Sequence, residues 1–239
     1  MHLLSRFIAQ SLSVLVLCAC ASEPRVPDAG ATAIVGAAPS INKAFPGADF
    51  DVWTGRLEGE SREIYRKRAD IADASGVKAG MSVADVGAGT GLFTMIFARK
   101  VGPAGRVTAV DISPTFLDAI AKRASRESIG NVTTTLGTQT DTRLPEGSID
   151  LVFTSDTYHH FEQVTPVLAS IRRALKPGGR FIVIDFERIP GVTAQRSLDH
   201  VRAGKATVID EVQAAGFRLL QEVTNLGLKQ NYYLVFEKT

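Results

Sequence analysis

Cysteine is nearly absent from this sequence: its 239 residues include two, Cys18 and Cys20, both among the first twenty positions. Beyond them the chain can build neither a disulfide of its own nor a cysteine-based zinc site. Charge of one sign is equally scarce. There are 27 Lys and Arg against 25 Asp and Glu, a formal net charge of +2, with no block of five or six like charges. That excludes the clustered basic face on which DNA or RNA binding depends, so nucleic acid is not an expected partner. No apolar run is long. The stretch from Phe7 to Leu17 falls short of the about 20 residues that a membrane-spanning helix requires. Methionine occurs only at Met1, Met81 and Met95, so only a non-ATG start could give a cytoplasmic form that lacks the first segment. No internal repeat is visible. The composition, 45% hydrophobic and 22% charged, suits one globular domain with a sizeable core.

The first residues stand apart from that domain. MHLLSRFIAQSLSVLVLCAC begins with positive charge at the amino terminus and Arg6, continues with the short apolar stretch, and ends in Leu17-Cys18-Ala19-Cys20. This is the layout of a bacterial secretory signal. Its ending resembles the lipobox of bacterial lipoproteins, which implies cleavage before Cys20 and a lipid on that cysteine. Residues 1–19 are then a signal peptide, and the protein is expected to be exported and membrane-anchored, with the periplasmic face its location. Ordinary cleavage after Ala21 also fits small-residue rules and would release a soluble protein. Residues 20–49, rich in Ala, Gly and Pro, read as a flexible tether of roughly 25–30 Å root-mean-square span. The domain then occupies residues 50–239.

From Glu60 onward, apolar segments and turn signals alternate as in a parallel α/β sheet. Helices are predicted at about 62–75, from Leu92, from Pro114, at 161–175 and near 206–215. Strands are predicted at 82–86, 106–110, near 132–136, at 149–154, at RFIVIDF after the turn KPGG, at 217–223 and at NYYLVFEK. A short connection joins the last two strands, so they form an antiparallel hairpin, while the others need crossovers.

One stretch carries chemistry. VADVGAGTG places Gly87, Gly89 and Gly91 between a strand and a helix, with Asp85 two positions ahead. Glycines there permit a tight turn and close approach of backbone to a ligand. Asp111 closes the next strand, VTAVD, where a carboxylate can accept hydrogen bonds from both hydroxyls of a ribose. An adenosine derivative satisfies both features, and the charge at the turn narrows the choice. Asp85 would repel the pyrophosphate of a dinucleotide and attract the ammonium of an amino-acid tail. The spacing G-x-G-x-G also differs from the G-x-G-x-x-G of dinucleotide folds. Both point to S-adenosyl-L-methionine.

These motifs, followed by LPEGSIDLVFTSDTYHHFE and LKPGGRFIVIDF, resemble the successive motifs of class I S-adenosylmethionine-dependent methyltransferases, above all the ubiquinone/menaquinone biosynthesis group. The similarity covers about Glu60 to Thr239. It implies a Rossmann-like, doubly wound α/β fold: a seven-stranded sheet, mostly parallel, whose last strand runs antiparallel. The cofactor would lie across the carboxyl ends of the first, second and fourth strands. Gly87, Gly89 and Gly91 would approach its methionine part, Asp85 its amine, Asp111 its ribose and Ile112 its adenine. The residue expected on the adenine amino group is Thr138 or Asp141, and Asp156 after the fourth strand is counted with the cofactor set.

The acceptor end is marked by Asp156-Thr-Tyr-His-His-Phe161. The Asp/Asn-Pro-Pro-Tyr signature of many amino-group methyltransferases is missing there, which points to an oxygen or carbon acceptor on a small molecule. Asp156, His159 and His160 share one face if the segment is helical. In the resembling ubiquinone O-methyltransferases, Glu-x-x-Glu-His at this place can hold a divalent cation, which implies one reading of Asp-x-x-His-His. In another, both histidines serve packing. In a third, one imidazole is a general base. Adjacent histidines diverge by about 100° on a helix, so at most one is expected to face the methyl group. His160 is the candidate base, His159 its neighbour, and no metal is expected. Asn231 and Tyr232 are expected at the rim of the site. Asp185 and Glu187 read equally as catalytic-edge or solvated residues. Gly178 and Gly179 read as a plain turn, and His200, Arg202 and Lys205 as a solvated helix face. The competing functional reading is an exported ligand-binding or interaction module without catalysis, because S-adenosylmethionine is made in the cytoplasm.

Overall fold

Strands with near-continuous apolar sequence are stable where helices cover both faces of a sheet, and the period of two then sends neighbouring residues into opposite cores. Val83 and Ala84 do this. The computed structural model describes Gly36, residues 41–43 and residues 49–239, and in it Val83 packs with Ile71, Phe93 and Phe97 on one face. Ala84 packs with Val167, Leu168, Ile171, Val208 and Val212 on the other. The signal and lipobox expectations lie outside the described residues. No described helix is long and apolar enough to cross a membrane.

The chain runs α1 (Phe50–Leu57), α2 (Glu63–Arg66), α3 (Arg68–Ala74), β1 (Ser82–Val86), α4 (Leu92–Val101), β2 (Arg106–Asp111), α5 (Pro114–Arg126), β3 (Val132–Leu136) and β4 (Ile149–Ser155). A single 3₁₀ turn (Tyr158–His160) follows, then α6 (Val164–Ala174), β5 (Leu175–Phe186), α7 (Gln195–His200), α8 (Lys205–Ala214), β6 (Phe217–Glu222) and β7 (Asn231–Lys238). The sheet order is β3-β2-β1-β4-β5-β7-β6. Strands β3 to β5 are joined in parallel, and β7 runs antiparallel to both β5 and β6. The seven-stranded doubly wound fold is therefore present. The order reverses between β1 and β4, and at such a switch point ligands bind outside the carboxyl ends of the strands.

Several boundaries differ from expectation for local reasons. The helix expected at 62–75 breaks at Lys67 into α2 and α3. Within α2 the buried Glu63 accepts the backbone N–H groups of Lys229, Gln230 and Asn231 and so holds the start of β7. The helix expected at 161–175 begins only at Val164. KPGG is absorbed into β5 as a register shift, with Gly178 at φ 69°. Helix α1 was not anticipated; Asp49 caps it by accepting from the N–H groups of Asp51 and Val52. Helix α7, six residues long, was also missed and has no side-chain cap.

Candidate active site

The glycine turn joins β1 to α4, and Gly87, Gly89 and Gly91 all have positive φ, at 72°, 52° and 78°. Their surroundings differ. A Cβ on Gly87 would stand 2.1 Å from Thr157 Cγ2, and one on Gly91 2.8 Å from Ile120 Cγ1. At Gly89 the nearest atom would be Leu57 Cδ1, at 3.7 Å. Gly87 and Gly89 line the central cavity, whereas Gly91 is packed beneath α5 and caps α4. This corrects the expectation that all three glycines reach the ligand. Gly87 and Gly89 border the cavity, and Gly91 instead serves the turn beside Ile120.

Asp85 is buried and accepts a hydrogen bond from Thr94 Oγ1 at 2.6 Å. Burial pushes its carboxyl up to about 6, against the hydrogen bonds from Thr94. Asp111 ends β2, likewise buried. Its Oδ2 accepts the Gly89 N–H and its Oδ1 the Ser113 N–H, both at 2.9 Å. Burial raises its pKa, and those backbone donors oppose the rise. Each carboxylate oxygen has a second lone pair, so Asp111 can fix the glycine turn and still accept from two ribose hydroxyls. Ile112 and Phe116 line the same wall. Phe50 and Trp53 of α1 meet the Phe116 ring edge-on, each at 6.3 Å between centroids. Sequence reasoning missed this aromatic cover, although Asp49 before an apolar turn was a usable capping signal.

Thr138 and Asp141, left as alternatives, both border the cavity. The Asp141 carboxylate is engaged by Arg173 at 2.9 Å and by the Arg143 N–H at 2.6 Å. Thr138 Oγ1 accepts from the Thr140 and Asp141 N–H groups.

The acceptor end departs most from expectation. Asp156, His159 and His160 do not form one face. The 3₁₀ turn starts only at Tyr158, and Asp156 lies before it with φ 50°. Its carboxylate is drawn aside by the Arg62 guanidinium and by Asn231 Nδ2, the latter at 2.7 Å. Burial pushes its pKa up to about 6, with Arg62 opposing. His159 turns instead to Asp185, which receives its ring Nδ1 at 2.7 Å and its backbone N–H at 2.9 Å. Asp185 is 1% exposed, which removes the solvated reading. Burial alone would lower the His159 pKa, but the Asp185 carboxylate outweighs it and holds it above the ordinary value. The same pairing keeps Asp185 below its own ordinary value despite burial.

Both histidines line the cavity, against the expectation that they diverge; their ring centroids are 4.2 Å apart. Burial, together with the charges of His159 and His200, pushes His160 down to about 3. Its Nδ1 lies 3.1 Å from Asn42 Oδ1. Asn42, in the segment read as tether, is itself buried, and its Nδ2 donates to the Glu162 carboxylate at 2.8 Å and to His160 O at 3.0 Å. Those two acceptors fix the amide orientation, so Oδ1 faces the ring and His160 Nδ1 carries the proton.

HVRAGK is a solvated face only in part, with His200 exposed at the end of α7. His200 joins the cavity wall, 5.0 and 5.1 Å from the other two histidine rings. Arg202 grips Glu211 through two bonds of 2.8 and 2.7 Å, and Tyr158 donates to the same carboxylate. Lys205 bridges Glu187 and Glu222. Asn231 reaches the site through Asp156, but Tyr232 is buried in β7 and does not line the cavity. The cavity measures about 570 Å³, within the range of small-molecule sites.

Residues 84–183 match the family model for a methyltransferase domain. A ubiquinone/menaquinone biosynthesis C-methyltransferase from Hydrogenovibrio crunogenus is 30% identical over 142 residues, 59% of this chain and 55% of that protein. Nocamycin O-methyltransferase from Saccharothrix syringae is 34% identical over 119 residues, 50% of this chain and 41% of the relative. The chain thus spans about half the length of the curated relatives it matches. Among solved structures, an S-adenosylmethionine-dependent methyltransferase from Aquifex aeolicus superposes with a TM-score of 0.70 at 22% identity, covering 80% of this chain and 100% of its own. Geranyl diphosphate C-methyltransferase from Streptomyces coelicolor, solved with Mg2+, geranyl-S-thiolodiphosphate and S-adenosyl-L-homocysteine, gives 0.60 at 16% identity, covering 77% and 84%. Residues 84–183 are thus similar to a methyltransferase domain, and the seven-stranded fold is the one that solved S-adenosylmethionine-dependent methyltransferases share.

Proposed function

We propose that the protein transfers a methyl group from S-adenosylmethionine to an oxygen or carbon atom of a small molecule. The observation that carries this reading is the sharing of one cavity by a buried acid at a glycine turn, a ribose-type carboxylate and a histidine cluster. The residues suit the ligand chemically. Asp85 offers a carboxylate to an ammonium, Asp111 two acceptors to a diol, and Ile112 and Phe116 an apolar wall to a purine.

S-adenosylmethionine supplies a sulfonium that is already a good electrophile, so alignment and removal of one proton are what the chain must add. The buried His159–Asp185 pair holds one side of the acceptor end rigid. His160 stands beside it with Nδ1 protonated towards Asn42, which makes Nε2 its basic nitrogen. Transfer of labelled methyl from S-adenosylmethionine into a panel of phenols, enols and quinols tests the reading. Transfer confined to amines would contradict the acceptor class.

The buried acid also gives a pH dependence. An ammonium is held by the ionised form of Asp85, which predominates above its pKa of about 6. Affinity for S-adenosylhomocysteine should therefore be full above that value and fall by about tenfold between pH 7 and pH 5. Isothermal calorimetry across this range reads it, and Asp85→Asn should flatten the profile. An unchanged slope in that variant would move the titration to another group.

We further propose that Cys20 bears a lipid which keeps the domain at a membrane surface. Wild-type protein should then sediment with membranes and incorporate labelled fatty acid. Cys20→Ser should be soluble or remain an unprocessed precursor, and Cys18→Ser should behave almost as wild type. Identical fractionation of Cys20→Ser, with no lipid incorporated in the wild type, would remove the anchor.

A further inference from the structure

The chain has four histidines, and three of them, His159, His160 and His200, bring one ring nitrogen each to within 4.8 Å of the other two. They come from separate places: two from the 3₁₀ turn after β4 and one from the last residue of α7. Two of the rings are held from behind. Asp185 takes His159 Nδ1 and Asn42 Oδ1 takes His160 Nδ1. Metal-binding histidines are oriented in this manner, with the ring N–H that does not ligate given to a carboxylate or amide oxygen. Such bonds leave Nε2 as the nitrogen that each ring would present.

We propose that His159, His160 and His200 form a site for one borderline divalent transition ion, with Zn2+ the expected species and Asp185 and Asn42 its positioning residues. Three imidazoles without a thiolate suit Zn2+, Co2+ or Fe2+, whereas Mg2+ and Ca2+ prefer oxygen donors. In a tetrahedral site with Zn–N bonds of about 2.0–2.1 Å, ligand nitrogens are about 3.3 Å apart, so the rings must close by about 1.5 Å at most from their spacing of up to 4.8 Å. Rotation of the His200 side chain, on the exposed end of α7, can close the two spacings that involve it. Asp156 takes no part, since Arg62 and Asn231 hold it.

Three protein ligands leave a fourth position, the format of catalytic rather than structural zinc. All three histidines line the cavity, so an oxygen of the acceptor is the ligand that position would take; with the ion bound, His160 Nε2 is its ligand and not a free base, and the ion would make that oxygen more acidic in its place. This last point rests on the methyltransferase reading; ion binding itself does not.

The test is a titration of metal-stripped full-length protein with Co2+, followed by its visible ligand-field absorption, with S-adenosylhomocysteine affinity measured on the same samples. One Co2+ per chain is expected, displaced by Zn2+ and not by Mg2+. His200→Ala should weaken the ion at least tenfold, and Asn42→Ala about tenfold, with S-adenosylhomocysteine affinity unchanged in both. His200 is exposed, so its loss leaves the core intact. No Co2+ uptake by wild-type protein that still binds S-adenosylhomocysteine would overturn the metal site alone. Equal Co2+ affinity in wild type and His200→Ala would overturn it too. Failure to bind S-adenosylhomocysteine would instead count against the methyltransferase reading, whatever the Co2+ result.

Discussion

His160→Asn is expected to lower kcat by about a hundredfold or more while leaving S-adenosylhomocysteine affinity within twofold, about the loss that follows removal of a group positioned at the reacting atom. The ring stands at the acceptor end of the cavity, away from Asp85 and Asp111, and its tautomer is set by Asn42. Asparagine keeps a polar side chain against Asn42 but places no nitrogen where Nε2 stands. The substitution therefore removes the chemistry with little change in packing. Steady-state kinetics with an accepted substrate, beside calorimetry with S-adenosylhomocysteine, separates the two effects. Full activity would return His160 to a packing role, and a parallel loss of cofactor affinity would place it at the other end of the site.

Asp111→Ala should weaken S-adenosylhomocysteine binding roughly ten- to a hundredfold, because a charge-assisted contact to a hydroxyl contributes about 1.5–3 kcal/mol and each 1.4 kcal/mol is a factor of ten. Two causes act together. The ribose acceptors are lost, and the Gly89 N–H loses the carboxylate that fixes the glycine turn. Asp111→Asn keeps one acceptor oxygen and should fall between wild type and alanine. A thermal melt on the same proteins guards against trivial unfolding. If Asp111→Ala bound S-adenosylhomocysteine as tightly as wild type while still folded, the ribose assignment would be wrong.

The cofactor half of the site was legible in the sequence because its determinants are local. Gly87 and Gly89 make their turn within a few residues of Asp85, and Asp111 ends the adjacent strand. An acid before G-x-G-x-G also carries its own electrostatic argument against a pyrophosphate. Gly91 shows the limit of that reasoning. Spacing gave it the same role as its neighbours, but Ile120 of α5, distant in sequence, fills the space beside it.

The acceptor half was less legible because its partners are long-range. His159 meets Asp185 26 positions away, and His160 meets Asn42 118 positions away. Neither pairing leaves a periodic or compositional trace. The i, i+3, i+4 argument for Asp156, His159 and His160 assumed an α-helix. The chain forms one 3₁₀ turn, and Arg62, from a segment read as plain helix, takes the carboxylate. Helix α7 is short, uncapped and set in a Gly- and Pro-containing loop, so His200 had no pattern to announce it. The β-strands, by contrast, were placed to within a residue or two, apart from β5, which starts five residues early at Leu175, because apolar runs bounded by glycine and charged residues are read from the segment itself.

Which adenosine derivative the cavity takes decides the chemistry open to the protein. Calorimetry on the full-length protein, with S-adenosylhomocysteine and NAD titrated separately at pH 7.5, measures this directly. Asp85 ahead of the glycine turn predicts binding of one S-adenosylhomocysteine per chain and no measurable heat with NAD. Tight NAD binding, or no binding of S-adenosylhomocysteine to the folded protein, would contradict it.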